Sequence, residues 1–242
     1  MQITKFGQCC LLIEVAGKRI LTDPGRFSVS QNEVTNLDLI LITHEHADHL
    51  HSESLSVILE NNPQAKVITN ESVGTILNNL GVMFEVLPDT VPTECCGVVI
   101  EAFPGKHVEI FEEVGQVQNT GFFVAEKLFY PGDAYIEPHK PVLVLALPVA
   151  GPWCKAPDAI NYAIRVNPTR AFPVHDAVLN EDGLTLTHGI FKIQLANKGI
   201  EFVPMKDGGS EFFHGTLNNL TQPNHRTSLS ETQTPNIVSV VH

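Results

Sequence analysis

The sequence predicts an α/β fold in two similar halves, each with strands first and helices after. Three observations predict it. Short apolar runs bounded by Gly and Pro turns recur along the 242 residues. Segments with apolar positions at helical spacing alternate with them, and the same strand-then-helix order occurs twice.

The first half opens with QITKF, CLLIEVAG and RILTD. A turn at Gly17 and Lys18 and a stop at Pro24 and Gly25 make these a β-meander. LDLILITH is a continuous apolar run, the pattern of a strand covered on both faces. SESLSVILENNP suits a helix opening at a Ser cap, Ser52. AKVITN reads as a strand, ESVGTILNNLG as a helix ended by Gly81, and FEVLP and GVVIEAF as strands.

In the second half, VGQVQNTGFFVAEKLFYPGD gives two strands joined tightly at Glu126 and Lys127 and halted at Pro131 and Gly132. PVLVLALPV is a buried strand running into the loop AGPW. APDAINYAIRVNP fits a helix with a Pro stop, and RAFPVH a short strand. LTHGIFKIQLANKG is a helix with a Gly stop, which puts His188 at a helix start. From about Thr216 the composition turns to Thr, Asn, Gln, Ser and Pro. Residues 1–215 are therefore expected to form one domain and residues 216–242 a polar tail or strap.

Composition narrows the function. With 27 acidic against 15 basic residues the net charge is −12, which disfavours a nucleic-acid surface, because such surfaces neutralise phosphates with Lys and Arg. The longest apolar run, residues 142–150, is strand-sized and well short of the roughly 18 residues of a membrane span. The N-terminus, MQITKFGQCC, lacks the pattern of a secretory signal, so a cytoplasmic protein is expected. Five cysteines, in two adjacent pairs and one single, suit buried reduced thiols rather than a disulfide framework, and both pairs lie in strand-like runs. A small-molecule substrate is the expected partner, and a homo-oligomer is left open.

LITHEHADHL, residues 41–50, carries the chemistry. At a strand end, residues two apart share a face, so His44 and His46 can address one ion. The following turn can swing Asp48 and His49 toward a second. Imidazole and carboxylate without thiolate favour zinc, with manganese or iron next. His51 is expected at the surface, opening the helix.

Five stretches in order, ILTDPG, LITHEHADHL, PGKH, YPGDA and FPVH, resemble the metallo-β-lactamase superfamily, especially its compact metal-dependent hydrolase branch, which includes an ascorbate-phosphate lactonase. The resemblance spans roughly residues 3–213. It implies a four-layer αββα sandwich. It further implies that His44, His46 and His107 hold one divalent metal ion, that Asp48, His49 and His175 hold a second, and that Asp133 bridges them. Asp23 would support a ligand histidine from behind, as such sites require to fix a ring's tautomer. The alternative for Asp23 is a turn residue before Pro24. His107, Asp133 and His175 each end a strand, His107 after a Pro-Gly turn, where α/β proteins place their chemistry. One departure stands out: many compact relatives carry Gly-His near the first strand, where this chain has Gly7 and Gln8.

Two metals would supply a metal-bound hydroxide at neutral pH and polarise the bond under attack. Asp48 is the expected proton acceptor and later donor. An ester, lactone, amide, thioester or phosphodiester of a small metabolite would fit. The alternatives are a di-iron redox protein and a metal-stabilised binding protein without turnover; redox relatives usually gain an attached redox domain, for which this chain has no room. Trp153, in the loop of residues 148–153, is expected to wall the substrate site or to be core packing. Tyr135 and Lys106 are candidates for binding a substrate anion.

Overall fold

Two seven-stranded sheets pack face to face beneath two outer pairs of helices in the computed structural model, which describes residues 1–215. The expected tail, residues 216–242, lies outside the described residues. In chain order the elements are β1 (Gln2–Gly7), β2 (Cys10–Val15), β3 (Lys18–Thr22), β4 (Leu39–Leu41), α1 (Ser52–Asn61), β5 (Lys66–Thr69), α2 (Glu71–Asn79) and β6 (Phe84–Val86). The second half comprises β7 (Thr93–Cys95), β8 (Val98–Lys106), β9 (Gln118–Val124), β10 (Leu128–Tyr130), β11 (Val144–Pro148), α3 (Ala156–Val166), β12 (Arg170–Val174), α4 (Glu181–Ala196) and β13 (Glu201–Phe202). The last strand, β14 (Ser210–Phe212), returns to the first sheet beside β1.

The sheets have orders β14-β1-β2-β3-β4-β5-β6 and β13-β12-β11-β10-β9-β8-β7. Each half runs through an antiparallel meander and then continues in parallel strands, β3 to β6 and β10 to β13. Parallel neighbours need crossovers, and the four helices supply those from β4 to β5, β5 to β6, β11 to β12 and β12 to β13, while loops join β3 to β4 and β10 to β11.

The two-residue period of the strands assigns each side chain to a layer. Leu39 and Leu41 join Ile20, Phe122, Val144 and Phe172 in the core between the sheets, whereas Ile40 and Ile42 pack with Leu55 and Ile58 of α1 and Val73 and Leu77 of α2. Likewise Val144 and Ala146 face inward, and Leu145 and Leu147 meet Ala159 and Ala163 of α3 and Phe191 of α4. This is the αββα sandwich.

Several expectations need correction. β4 is only three residues long, so the histidine segment leaves the sheet early. Ser52 is inside α1, and His51 occupies the cap, its Nδ1 2.9 Å from the Ser54 hydroxyl. No Pro-Gly turn precedes His107: β8 runs through Pro104 and Gly105 because β9 pairs with it along this length. α4 starts at Glu181, where the Asn180 side chain accepts from the Gly183 amide at 2.8 Å, and His188 is therefore mid-helix. Cys9 and Cys96 sit in hairpin turns rather than within strands. All five thiols are free, and Cys9, Cys10 and Cys95 are buried. β7, β13 and β14, at two or three residues each, were too short to leave a periodic signal. Among the described residues no helix is long and apolar enough to cross a membrane.

Candidate metal centre

Strand ends deliver every expected ligand. His44, His46, Asp48 and His49 follow β4, His107 follows β8, Asp133 follows β10 and His175 follows β12. In space they form two groups. Donor atoms of His44, His46 and His107 lie within 4.8 Å of one another, and so do those of Asp48, His49, Asp133 and His175. Asp133 stands between the groups: its Oδ2 is 3.2 Å from His107 Nε2, 2.9 Å from His175 Nε2 and 3.9 Å from His44 Nε2. Its Oδ1 is 3.3 Å from His49 Nε2.

The loops are held by close backbone fits. Gly25 presses so tightly on the histidine segment that a Cβ there would lie 1.8 Å from the Asp48 carbonyl oxygen. Gly132 has φ +65, and a side chain there would strike Asn119. Asn119 in turn donates to the Pro131 carbonyl at 2.8 Å and accepts from the Asp133 amide at 3.0 Å, clamping the turn that presents Asp133. His175 has φ +60, a left-handed backbone that costs a residue with a Cβ about 1 kcal/mol or more. Neighbouring contacts secure it. Its amide donates to the Gln8 carbonyl at 3.1 Å, and Asp176 beside it accepts from the buried Lys5 ammonium and from His188 Nε2 at 3.0 Å.

Hydrogen bonds behind the rings set which nitrogen faces the centre. Asp23 is fully buried and accepts from the Thr43 amide, the Thr43 hydroxyl and His49 Nδ1, each at 2.7 Å, and from the Tyr130 hydroxyl. With its proton given to Asp23, the Thr43 hydroxyl accepts from His44 Nδ1 at 3.0 Å. His107 Nδ1 donates to the Val108 carbonyl at 2.5 Å. Each of these assignments turns Nε2 inward, the nitrogen that a metal-binding imidazole offers once its proton is displaced.

Several inward atoms lack any partner. His44 Nε2, His49 Nε2, His175 Nε2 and Asp133 Oδ1 are buried without a hydrogen bond. An orphaned buried polar atom costs about 1–3 kcal/mol, so several at one point mark a place built for an ion. The donor set fits divalent metal: imidazole and carboxylate ligands with ordered support behind them.

Electrostatics agree with a cation-shaped centre. Burial pushes the His44 and His46 imidazoles below the usual histidine range, helped by neighbouring rings. Burial acts the same way on His49 and His175, but the carboxylates around them together outweigh it: Asp133 with Asp23 holds His49 well above its ordinary value, and Asp133 with Asp48 holds His175 at about 9. Burial opposes ionisation of Asp133 and Asp48, yet His175 and His49 hold both carboxyls below the usual range. In the metal-free chain, protons on His49 and His175 supply the positive charge that an ion would replace.

The remaining candidates divide. Trp153 is buried rather than exposed at a mouth; its ring centroid is 5.5 Å from that of His107 and 5.4 Å from that of His175, one residue of each group. Tyr135 packs edge-on against Trp153 at 5.8 Å, and its hydroxyl donates to the Cys154 sulfur at 3.5 Å. Lys106 is exposed, and strand alternation turns it away from the His107 side. Sequence reasoning passed over Thr43, Tyr130, Asn119 and the contact of Gln8 with Asp48. Only Gln8 carried a signal, as the departure from Gly-His.

The chain is similar to known proteins in sequence and in fold. The profile described as "Beta-lactamase superfamily domain" matches residues 2–175. A Mycobacterium tuberculosis protein is 36% identical over 194 residues, 78% of this chain and 90% of that one. A protein described as a metal-dependent hydrolase, from Aeropyrum pernix, is 27% identical over 203 residues, 72% of this chain and 81% of its own. Among solved structures, a metallo hydrolase from Ignicoccus hospitalis superposes with a TM-score of 0.69 at 19% identity, covering 89% of this chain and 99% of that chain.

Proposed function

The chain belongs to the metallo-β-lactamase superfamily, and from that premise we propose that it is a metal-dependent hydrolase of a small molecule, with two divalent ions at the centre. One observation carries the reading: two groups of donors meet at Asp133, with Nδ1 of His44, His49 and His107 tied behind the ring and Nε2 of His44, His49 and His175 buried without a partner. In this assignment His44, His46 and His107 hold the first ion, Asp48, His49 and His175 the second, and Asp133 both. Zinc is the proposed metal, since no thiol joins either group and imidazole with carboxylate suits it; manganese and iron share that preference.

Bound there, the ions supply Lewis acidity and bring the pKa of coordinated water toward neutrality. The chain's own residues do the rest. Asp48, whose side chain is 20% exposed, is the ligand carboxylate with access to solvent, and it is the proposed proton acceptor and later donor. Asp133, 1% exposed, has no such access and serves as a bridge. Asp23 holds His49 directly and His44 through Thr43. Trp153, against His107 and His175, closes one side of the centre to water. The proposed substrates carry an ester, lactone, amide, thioester or phosphodiester bond.

The test pairs elemental analysis of protein purified without added metal with a screen of lactones, phosphodiesters and thioesters, using Asp48→Ala as the blank. Two zinc or manganese ions per chain and a turnover that the blank lacks are expected. Iron with visible absorbance and no hydrolysis would instead favour a redox centre.

A further inference from the structure

Gln8 is 1% exposed, lies in the turn between β1 and β2, and adopts φ +48. It makes three hydrogen bonds at once. Its Nε2 donates to Asp48 Oδ2 at 2.9 Å, its Oε1 accepts from the Ala177 amide at 3.1 Å, and its backbone carbonyl accepts from the His175 amide at 3.1 Å. The Ala177 N–H can only donate, so it orients the amide and leaves the NH2 for Asp48. The oxygen Gln8 holds is the one turned to the centre, 3.3 Å from His175 Nε2 and 3.6 Å from His49 Nε2. Lone pairs left on that oxygen face inward.

We propose that Gln8 is a positioning residue for the second ion: it ties Asp48, on the loop after β4, to the loop after β12 that carries His175. The inference rests on the reading of Asp48, His49 and His175 as ligands. The need is physical. Asp48 is partly exposed and belongs to a loop, so without a fixed donor its carboxylate would have several rotamers to choose among, and ordering it would cost ion affinity. His44, His49 and His107 have their own partners behind the ring, as shown above, and Gln8 gives Asp48 the equivalent support. A single amide suits the place because it offers a donor and an acceptor in opposite directions, which hydrocarbon of the same length does not.

The experiment titrates metal-stripped protein with Co(II), following visible absorption and the ions retained per chain after gel filtration. Wild type, Gln8→Met and Asp48→Ala are compared, with melting of the metal-free proteins as the measure of fold. Wild type is expected to hold two ions. Gln8→Met should hold the first as tightly and the second about 10- to 100-fold more weakly, the usual effect of losing such support. Should that variant fail to melt cooperatively, Gln8→Asn, a methylene too short to span both partners, should show the same selective loss. A second-ion affinity within about twofold of wild type, or equal weakening of both ions, would overturn the positioning role. If Asp48→Ala retains two ions like wild type, the ligand reading fails and takes the inference with it. If only Asp48→Ala loses the second ion, Gln8 alone is dismissed.

Discussion

Asp23 Oδ2 accepts from His49 Nδ1 at 2.7 Å with both side chains buried from solvent, although 26 positions separate them in the chain. The same carboxylate takes three further donors, two from Thr43 and one from Tyr130. Asp23→Ala would leave His49 and these donors without partners. Removing one member of a buried charged network typically costs about 3–5 kcal/mol. Urea unfolding of the metal-free protein should show a loss in that range, with weaker zinc retention in the loaded form. A loss below about 1 kcal/mol would mean that Asp23 does not organise the centre.

His46 and Asp48 are partly exposed and lie outside the three apolar clusters. Replacing either with Ala should cut hydrolysis by at least about 10²-fold, the lower end for a lost acid-base group, while circular dichroism and melting stay near wild type. Retained turnover in Asp48→Ala would remove that residue from the mechanism.

Chelation should make stability depend on pH. His49 and His175 have folded values raised above those of the unfolded chain, His175 to about 9. Such groups contribute stability that is complete below the unfolded value and fades as pH rises through the folded one. The melting temperature of the chelated protein should therefore fall between about pH 6.5 and 9. With ions restored the fall should disappear, because the ligands are then held unprotonated. Identical pH profiles with and without chelator would contradict this.

Two glycines should respond in opposite directions to Ala. A Cβ at Gly25 would lie 1.8 Å from the Asp48 carbonyl oxygen, so Gly25→Ala must displace one loop or the other. Destabilisation of about 1–3 kcal/mol or more, together with loss of bound metal, is expected. Gly189, inside α4 with nothing within 4 Å of its missing Cβ, should gain about 0.5–1 kcal/mol on the same change. Denaturant midpoints read both; a neutral Gly25→Ala would show that the close approach is not needed.

Reading the sequence went furthest where the signal is local. The continuous apolar runs in LDLILITH and PVLVLALPV announced buried strands, and Leu39 against Ile40 and Val144 against Leu145 divide between the inner core and the helix layers as a two-residue period requires. Boundaries were less legible. β8 continues through Pro104 and Gly105 because β9 lies beside it, a partner that no local pattern names. α4 begins five residues before LTHGIFKIQLANKG, since its cap, Asn180, sits ahead of the apolar repeat.

The centre divides along the same line. Residue chemistry and spacing nominated His44, His46, Asp48 and His49, because a cluster of imidazoles after an apolar strand is visible without coordinates; His107, Asp133, His175 and Asp23 were nominated only by the resemblance that the ordered motifs carry. Tertiary structure alone decided which atoms meet. Whether Trp153 lies against His107 and His175, whether Tyr135 turns to Cys154, and whether Gln8 reaches Asp48 depend on how two sheets stack and where their strands end. Spacing along a chain governs neighbours within a turn or a strand; contacts between residues more than a hundred positions apart, such as Tyr130 with Asp23, follow only from the packed register of the sandwich.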